Sequence, residues 1–305
     1  MKPAYLIILL LMNFFWGSVY SAYKVMGQDS LPTGAIVTLR FGLAALSLLA
    51  LWPWLPGPAP RGRDLVKTCG MGLMLYVIGQ RLQVYGNNLG TATNSSVLMA
   101  IDPLITSLGA ALFLKEHLGP RRIAGFLLGL VGVAILNRVW RPDFHWTGLA
   151  GSAIFVSSFV LEAAYSIIAK PIIARASVMK MLALSLLAGT VANLVIDGPQ
   201  TLVVARELPL KAWLLLLYLA IVCTSVGYTV WFIVIRECPV NIAGLTIFAQ
   251  SVFGAGVAAV WLREELHWGH LFGSLTIIAG LFLGLSRQIR KPATVDRAAA
   301  PATTH

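Results

Sequence analysis

Two carboxylates stand out because of where they lie. Asp102, beside Pro103, and Glu162 fall inside long apolar runs, where an ionised acid has no water to solvate it. An acid so placed either pairs with a buried cation or takes up a proton, and ionisable groups within membrane segments are functional by default. Arg40 and Arg81 sit in neighbouring apolar runs. Each can form a structural ion pair with one of the acids or grip a substrate carboxylate through the two prongs of its guanidinium; structural pairing is the expectation for Arg40. Asp102, Glu162 and Arg81 are therefore the candidates for proton or charge coupling.

Polar and aromatic residues accompany these acids at helical spacing, which places them on shared helix faces. Asn13, Trp16, Tyr20 and Lys24 form one such stripe, Tyr76, Gln80 and Gln83 a second, and Asn94, Leu98 and Asp102 a third. Ser158, Glu162 and Tyr165 form a fourth, Thr224, Tyr228 and Trp231 a fifth, and Gln250 occupies the matching place on a sixth run. Taken singly, each aromatic fits an interfacial belt and each amide fits interhelical glue. Together they predict the lining of one central substrate cavity. Lys24 and Lys170 close two related strings, YSAYK and YSIIAK, and are expected to snorkel to the headgroups.

Such a cavity needs helices to position it, and the chain supplies them twice. The stretch from Thr91 to Leu136 returns 148 residues later from Pro239 to Gly284, with Ala110 on Ala258, Leu114-Lys115-Glu116 on Leu262-Arg263-Glu264, Gly125 on Gly273 and Gly132 on Gly280. Each copy is an apolar span, a charged elbow and a glycine-punctuated span. In this register Tyr76, Gln80 and Gln83 fall on Thr224, Tyr228 and Trp231, and Asp102 falls on Gln250. Glu116 and Glu264 are read as elbow or gate residues. Gly125, Gly129, Gly132, Gly273 and Gly280 allow close helix packing, within a pseudo-symmetric pair or at a dimer surface.

Of the 305 residues 58% are hydrophobic and 11% charged, with a mean hydropathy of +0.80, well below the charge content of a soluble domain. Ten apolar segments each approach the length of a bilayer core. They run from Tyr5 to Met26, Thr33 to Trp52, Leu65 to Tyr85, Ala92 to Leu114 and Arg122 to Val139, then from Trp146 to Ala169, Met179 to Ile196, Trp213 to Ile235, Val240 to Leu262 and Trp268 to Leu285. Lys and Arg fall predominantly on the side of the N-terminus, which places both termini in the cytoplasm. The +11 net charge thus reflects membrane orientation, and no nucleic-acid partner is expected. Five spans per half is an odd number, so the halves enter the membrane from opposite sides and form an inverted repeat, the architecture of many carriers. The expected fold is all-α integral membrane: residues 1–144 as a first five-helix repeat, 145–286 as a second, and 287–305 as a disordered basic cytoplasmic tail.

The ten spans, the two five-span halves, the repeated L-[KR]-E-x-L elbow and Trp16-Gly17-Ser18 resemble the EamA-like branch of the drug/metabolite transporter superfamily, over roughly Tyr5 to Ser286. The resemblance implies a secondary transporter of small metabolites, with export of amino acids or related amphipathic compounds preferred. A proton-coupled carrier of organic cations is the rival within transport. A membrane-embedded enzyme or a structural membrane protein is the rival outside it. The scattered histidines count against an enzyme, and His267 and His270 read as a solvated elbow, so neither a metal site nor a cofactor is expected. The expected partners are a small-molecule substrate and the lipid bilayer, the assembly a monomer or homodimer, and the location a bacterial inner (cytoplasmic) membrane.

Overall fold

The computed structural model describes residues 2–26, 31–88, 98–142, 149–263 and 265–286. The described residues form helices and connecting turns, with no strand among them. The helices fall into ten consecutive segments. The first five are Pro3–Gly17 with Val19–Met26, Thr33–Ala50, Arg63–Leu73 continuing through Gln80–Asn88, Asp102–Phe113, and Pro120–Leu136. The second five are Leu149–Ile173, Val178–Glu207, Leu210–Tyr218 continuing through Gly227–Glu237, Val240–Leu245 continuing through Ala249–Trp261, and Trp268–Leu285. Seven helices are long and apolar enough to cross a membrane on that basis alone. The third segment carries Gln80, Arg81 and Gln83 in its C-terminal half, and the fifth, at 17 residues, is at the lower limit for a crossing. The expectations for Asn94, Glu264 and the 287–305 tail fall outside the described residues, as do those for the side chains of Tyr20 and Lys24.

Packing follows the repeat. The second segment packs on the seventh, the fourth on the ninth and the fifth on the tenth. The third contacts the sixth and seventh as the eighth contacts the first and second, and the fourth meets the sixth as the ninth meets the first. Exchanging the halves therefore maps these contacts onto one another. Local backbone repeats too. Lys115 and Arg263, 148 residues apart, both adopt left-handed φ values, 55° and 56°, which turns each elbow sharply. Met74–Gly79 in the third segment and Leu219–Val226 in the eighth are both π-helical turns.

Glycines bring the fifth and tenth segments together within one chain. A Cβ on Gly125 would stand 2.8 Å from the Gly280 carbonyl oxygen, and one on Gly273 would stand 2.6 Å from the Leu136 nitrogen and 2.7 Å from the Gly132 oxygen. These neighbours are backbone and cannot rotate away. Gly273→Ala is accordingly expected to destabilise the fold by about 1–3 kcal/mol through overpacking, read as a lower melting temperature in detergent; an unchanged melting temperature would refute this account of the contact. Outward from the core, Leu112, Phe113, Val195, Val260 and Phe282 are exposed, an apolar periphery suited to lipid.

Candidate functional site

A chamber of about 80 Å³ lies between the halves. Its wall includes Gln80 and Tyr228, Gln83 and Trp231, Met99 and Ile247, and Asp102 and Gln250, four pairs each 148 residues apart. The third and eighth segments thus present the same positions to one space, as do the fourth and ninth. Trp16 and Val19 enter from the first segment, Arg40 from the second, Thr106 from the fourth, and Phe159, Glu162 and Ser166 from the sixth.

The charges in this wall are held apart. The Tyr228 hydroxyl donates to Glu162 Oε1 at 3.2 Å, and Thr106 Oγ1 donates to Asp102 Oδ1 at 3.2 Å. Arg40, only 7% exposed, donates from Nε to Thr224 Oγ1 at 3.1 Å and from Nη1 to the Tyr23 hydroxyl at 2.7 Å. None of the ion pairs among the described residues contains Arg40, Asp102 or Glu162. The pairing expected for Arg40 is therefore replaced by two neutral oxygen acceptors. Indole groups are fixed by donation: Trp16 Nε1 to the Cys223 carbonyl at 2.7 Å, inside the π-helical turn, and Trp231 Nε1 to Ser166 Oγ at 3.1 Å. Both rings stay oriented against the chamber, with Trp16 packed on Tyr228 and Trp231.

Of the residues expected to line a cavity, Trp16, Gln80, Gln83, Asp102, Glu162, Tyr228, Trp231 and Gln250 meet at this chamber. Others stand behind its wall. Asn13 donates to Thr246 Oγ1 and accepts from Gln250 Nε2 at 3.0 Å, so it orients a lining residue without being one. Tyr76 and Tyr165 are fully buried and form a hydroxyl chain, Tyr76 to Tyr165 at 2.9 Å and Tyr165 to Ser185 at 2.8 Å. Ser158 donates to the Phe155 carbonyl, Leu98 packs in the cluster of Phe155 and Phe159, and Thr224 serves Arg40. Arg81 is engaged elsewhere, ion-paired with Asp197 and donating to Asn193 Oδ1 at 2.7 Å. That pairing removes Arg81 from the two chamber acids. Asp197 escaped the sequence reading because it lies just past the seventh apolar run and looks like a span boundary.

Beyond the chamber, the elbow residue Glu116 cross-links three segments at one end of the bundle. Its Oε1 accepts from Lys170 Nζ at 2.6 Å and from the Val240 backbone N–H at 2.8 Å, while Oε2 accepts from the Asn241 N–H at 2.9 Å. One carboxylate thereby joins the fourth-to-fifth elbow, the sixth segment and the start of the ninth. Donors at a helix N-terminus, with the dipole behind them, suit an anion. Lys170 also donates to the Cys238 carbonyl at 3.1 Å, so it is an ion-pair partner and not only a snorkelling residue.

Comparison with known proteins assigns this architecture. The EamA-like transporter family matches residues 3–138 and again 149–286. The chain belongs to the EamA-like transporter family. Among its relatives are a "Probable terminal-alkyne amino-acid exporter" of Streptantibioticus cattleyicolor, 26% identical with 88% of this chain and 89% of the relative covered, and a "Probable amino-acid metabolite efflux pump" of Salmonella typhimurium, 28% identical with 94% and 97% covered. A "Riboflavin transporter" of Rhizobium johnstonii is 28% identical over 83% of this chain and 78% of its own. A solved crystal structure superposes with a TM-score of 0.75 at 18% identity, covering 95% of this chain and all of the other; it establishes likeness of fold. This EamA-like protein is a multi-pass membrane transporter, and the chamber is the candidate transport site.

Proposed function

We propose that this protein is an alternating-access exporter or facilitator of amino acids or related small amphipathic compounds in the cytoplasmic membrane. In this reading ten segments cross the bilayer as two inverted five-helix halves, with both termini in the cytoplasm. The observation that carries it is the pairing in the chamber wall: Gln80 with Tyr228, Gln83 with Trp231, Met99 with Ile247 and Asp102 with Gln250. A site built from repeat-related positions lies where either half can swing away from it, which is the requirement for access from alternating sides. Its contents suit a compound with an apolar body and charged ends, since indole, phenol and phenyl rings stand beside two acids and a guanidinium.

The chamber's volume of about 80 Å³ is small against the 300–1,000 Å³ of ordinary ligand pockets, so a substrate is admitted only as one end of the bundle opens. Names of relatives support the amino-acid reading, while the two acids beside aromatic faces favour, as a second reading, a carrier of organic cations. Uptake of radiolabelled amino acids and amines into proteoliposomes distinguishes them. Saturable uptake of at least one amino acid is expected. Movement of amines alone would establish the second reading, and a folded protein that moves neither would overturn both.

A further inference from the structure

We propose that Arg40 receives the carboxylate of the transported compound and so sets its specificity. The inference rests on the amino-acid reading above and assigns a residue to it. A guanidinium is among the most expensive groups to place in a bilayer core, where basic residues normally find an acid or a water-filled cavity. Arg40 is 7% exposed and, among the described residues, has no carboxylate partner. Its Nε and Nη1 are held by the Thr224 and Tyr23 hydroxyls, and the Tyr23 and Phe41 rings lie 5.7 and 5.1 Å from its Cζ. These contacts fix the plane of the guanidinium without neutralising it, and Nη2 has no protein acceptor among the described residues.

The side chain borders the chamber that also contains Glu162 and Asp102. Each of those acids accepts one hydroxyl, and both line the same space. Opposite charges therefore face one small cavity without touching. A purely structural network would be expected to close the gap, because an unpaired charge in low dielectric costs far more than a paired one. The gap fits a zwitterion: carboxylate on Arg40, ammonium toward Glu162 and Asp102, and side chain against the Trp16 and Tyr228 rings. The repeat supports a dedicated role. The seventh segment, counterpart of the second, carries no cation between Lys180 and Arg206, so the buried cation occurs on one side of the pseudo-axis only.

The test pairs each amino acid with the amine that lacks its carboxylate: L-leucine with isopentylamine, L-phenylalanine with phenethylamine, and L-lysine with cadaverine, titrated calorimetrically into purified protein. In wild type, one amino acid is expected to bind about 30-fold or more tightly than its amine. In Arg40→Gln that preference should fall to within about threefold, with Arg40→Lys between, since an ammonium keeps the charge and loses the two-pronged contact. Equal binding of amine and amino acid by wild type would overturn the assignment while leaving a cation carrier. That comparison needs no variant to fold. Retention of the carboxylate preference in a folded Arg40→Gln protein would equally overturn it. Should neither member of any pair bind folded wild type, the amino-acid reading itself fails, and the assignment with it.

Discussion

Alkylation of Cys238 is expected to accelerate by about 30- to 100-fold in Glu116→Ala, corresponding to about 2–3 kcal/mol lost from the closed end of the bundle. The figure follows from what the carboxylate does. Lys115 turns the elbow through its φ of 55°, which directs the next side chain back over the start of the ninth segment. There Glu116 accepts two backbone N–H groups and the Lys170 ammonium, and its side chain is 9% exposed. Loss of a helix N-terminal acceptor costs about 1 kcal/mol, and removing one partner of a buried ion pair costs about 3–5 kcal/mol. Lys170 is 24% exposed and retains the Cys238 carbonyl, so only part of the larger figure applies.

The open state rehydrates the same groups. The loss therefore falls on the closed state, and the equilibrium shifts toward opening. Cys238 is 6% exposed and reports this end when Cys69 and Cys223 are replaced. Lys170→Met should act in the same direction but less, because the two backbone donors remain. An unchanged alkylation rate in Glu116→Ala, in protein of unaltered melting temperature, would show that the elbow does not latch the bundle.

How much of this site is legible in the sequence turns on two π-helical turns. Helical spacing groups Tyr76 with Gln80 and Gln83, and Thr224 with Tyr228 and Trp231. Each trio contains a π-helical turn at its first residue, Met74–Gly79 in one and Leu219–Val226 in the other. One extra residue in a turn rotates the following face by about 100°. Gln80, Gln83, Tyr228 and Trp231 consequently reach the chamber, while Tyr76 turns to Tyr165 and Thr224 to Arg40. A 3.6-residue period cannot register that slip. The repeat itself is readable because the same register error occurs in both copies and cancels between them, which is why the pairings of Gln80 with Tyr228 and of Gln83 with Trp231 survive into three dimensions. Arg40 was misread for another reason. Sequence shows a cation near acids but not that hydroxyls from the first and eighth segments hold it away from them. Thr106, Ser166 and Phe159 are too ordinary in an apolar helix to be selected before neighbours are known.

Glu162→Gln and Asp102→Asn are expected to abolish accumulation driven by a pH gradient while leaving exchange down a concentration gradient in place. With both acids ionised and Arg40 charged, the chamber carries one net negative charge, which low dielectric penalises strongly. One proton on the acid pair relieves it, and a substrate ammonium lodged at the same two acids, with the substrate carboxylate on Arg40, takes that proton's place. Because proton and substrate cation would then compete for the same two carboxylates, the coupling expected is exchange: a proton leaves as the substrate enters. In proteoliposomes an acidic lumen should therefore drive uptake. A gradient of two pH units is worth about 2.7 kcal/mol, enough for roughly hundredfold accumulation of a substrate exchanged one for one. Either single variant leaves one acid against Arg40 and a chamber already neutral without a proton, so the gradient has nothing to act on. Two readouts separate this from damage to the fold: melting temperature, and substrate exchange with no gradient imposed, both of which should persist. Tyr228→Phe, which removes the hydroxyl donated to Glu162, should change the pH midpoint of uptake without eliminating the dependence. If wild type and both variants take up substrate only to equilibrium, equally with and without the gradient, the protein is a facilitator, and Asp102 and Glu162 serve only to bind or to hold the wall.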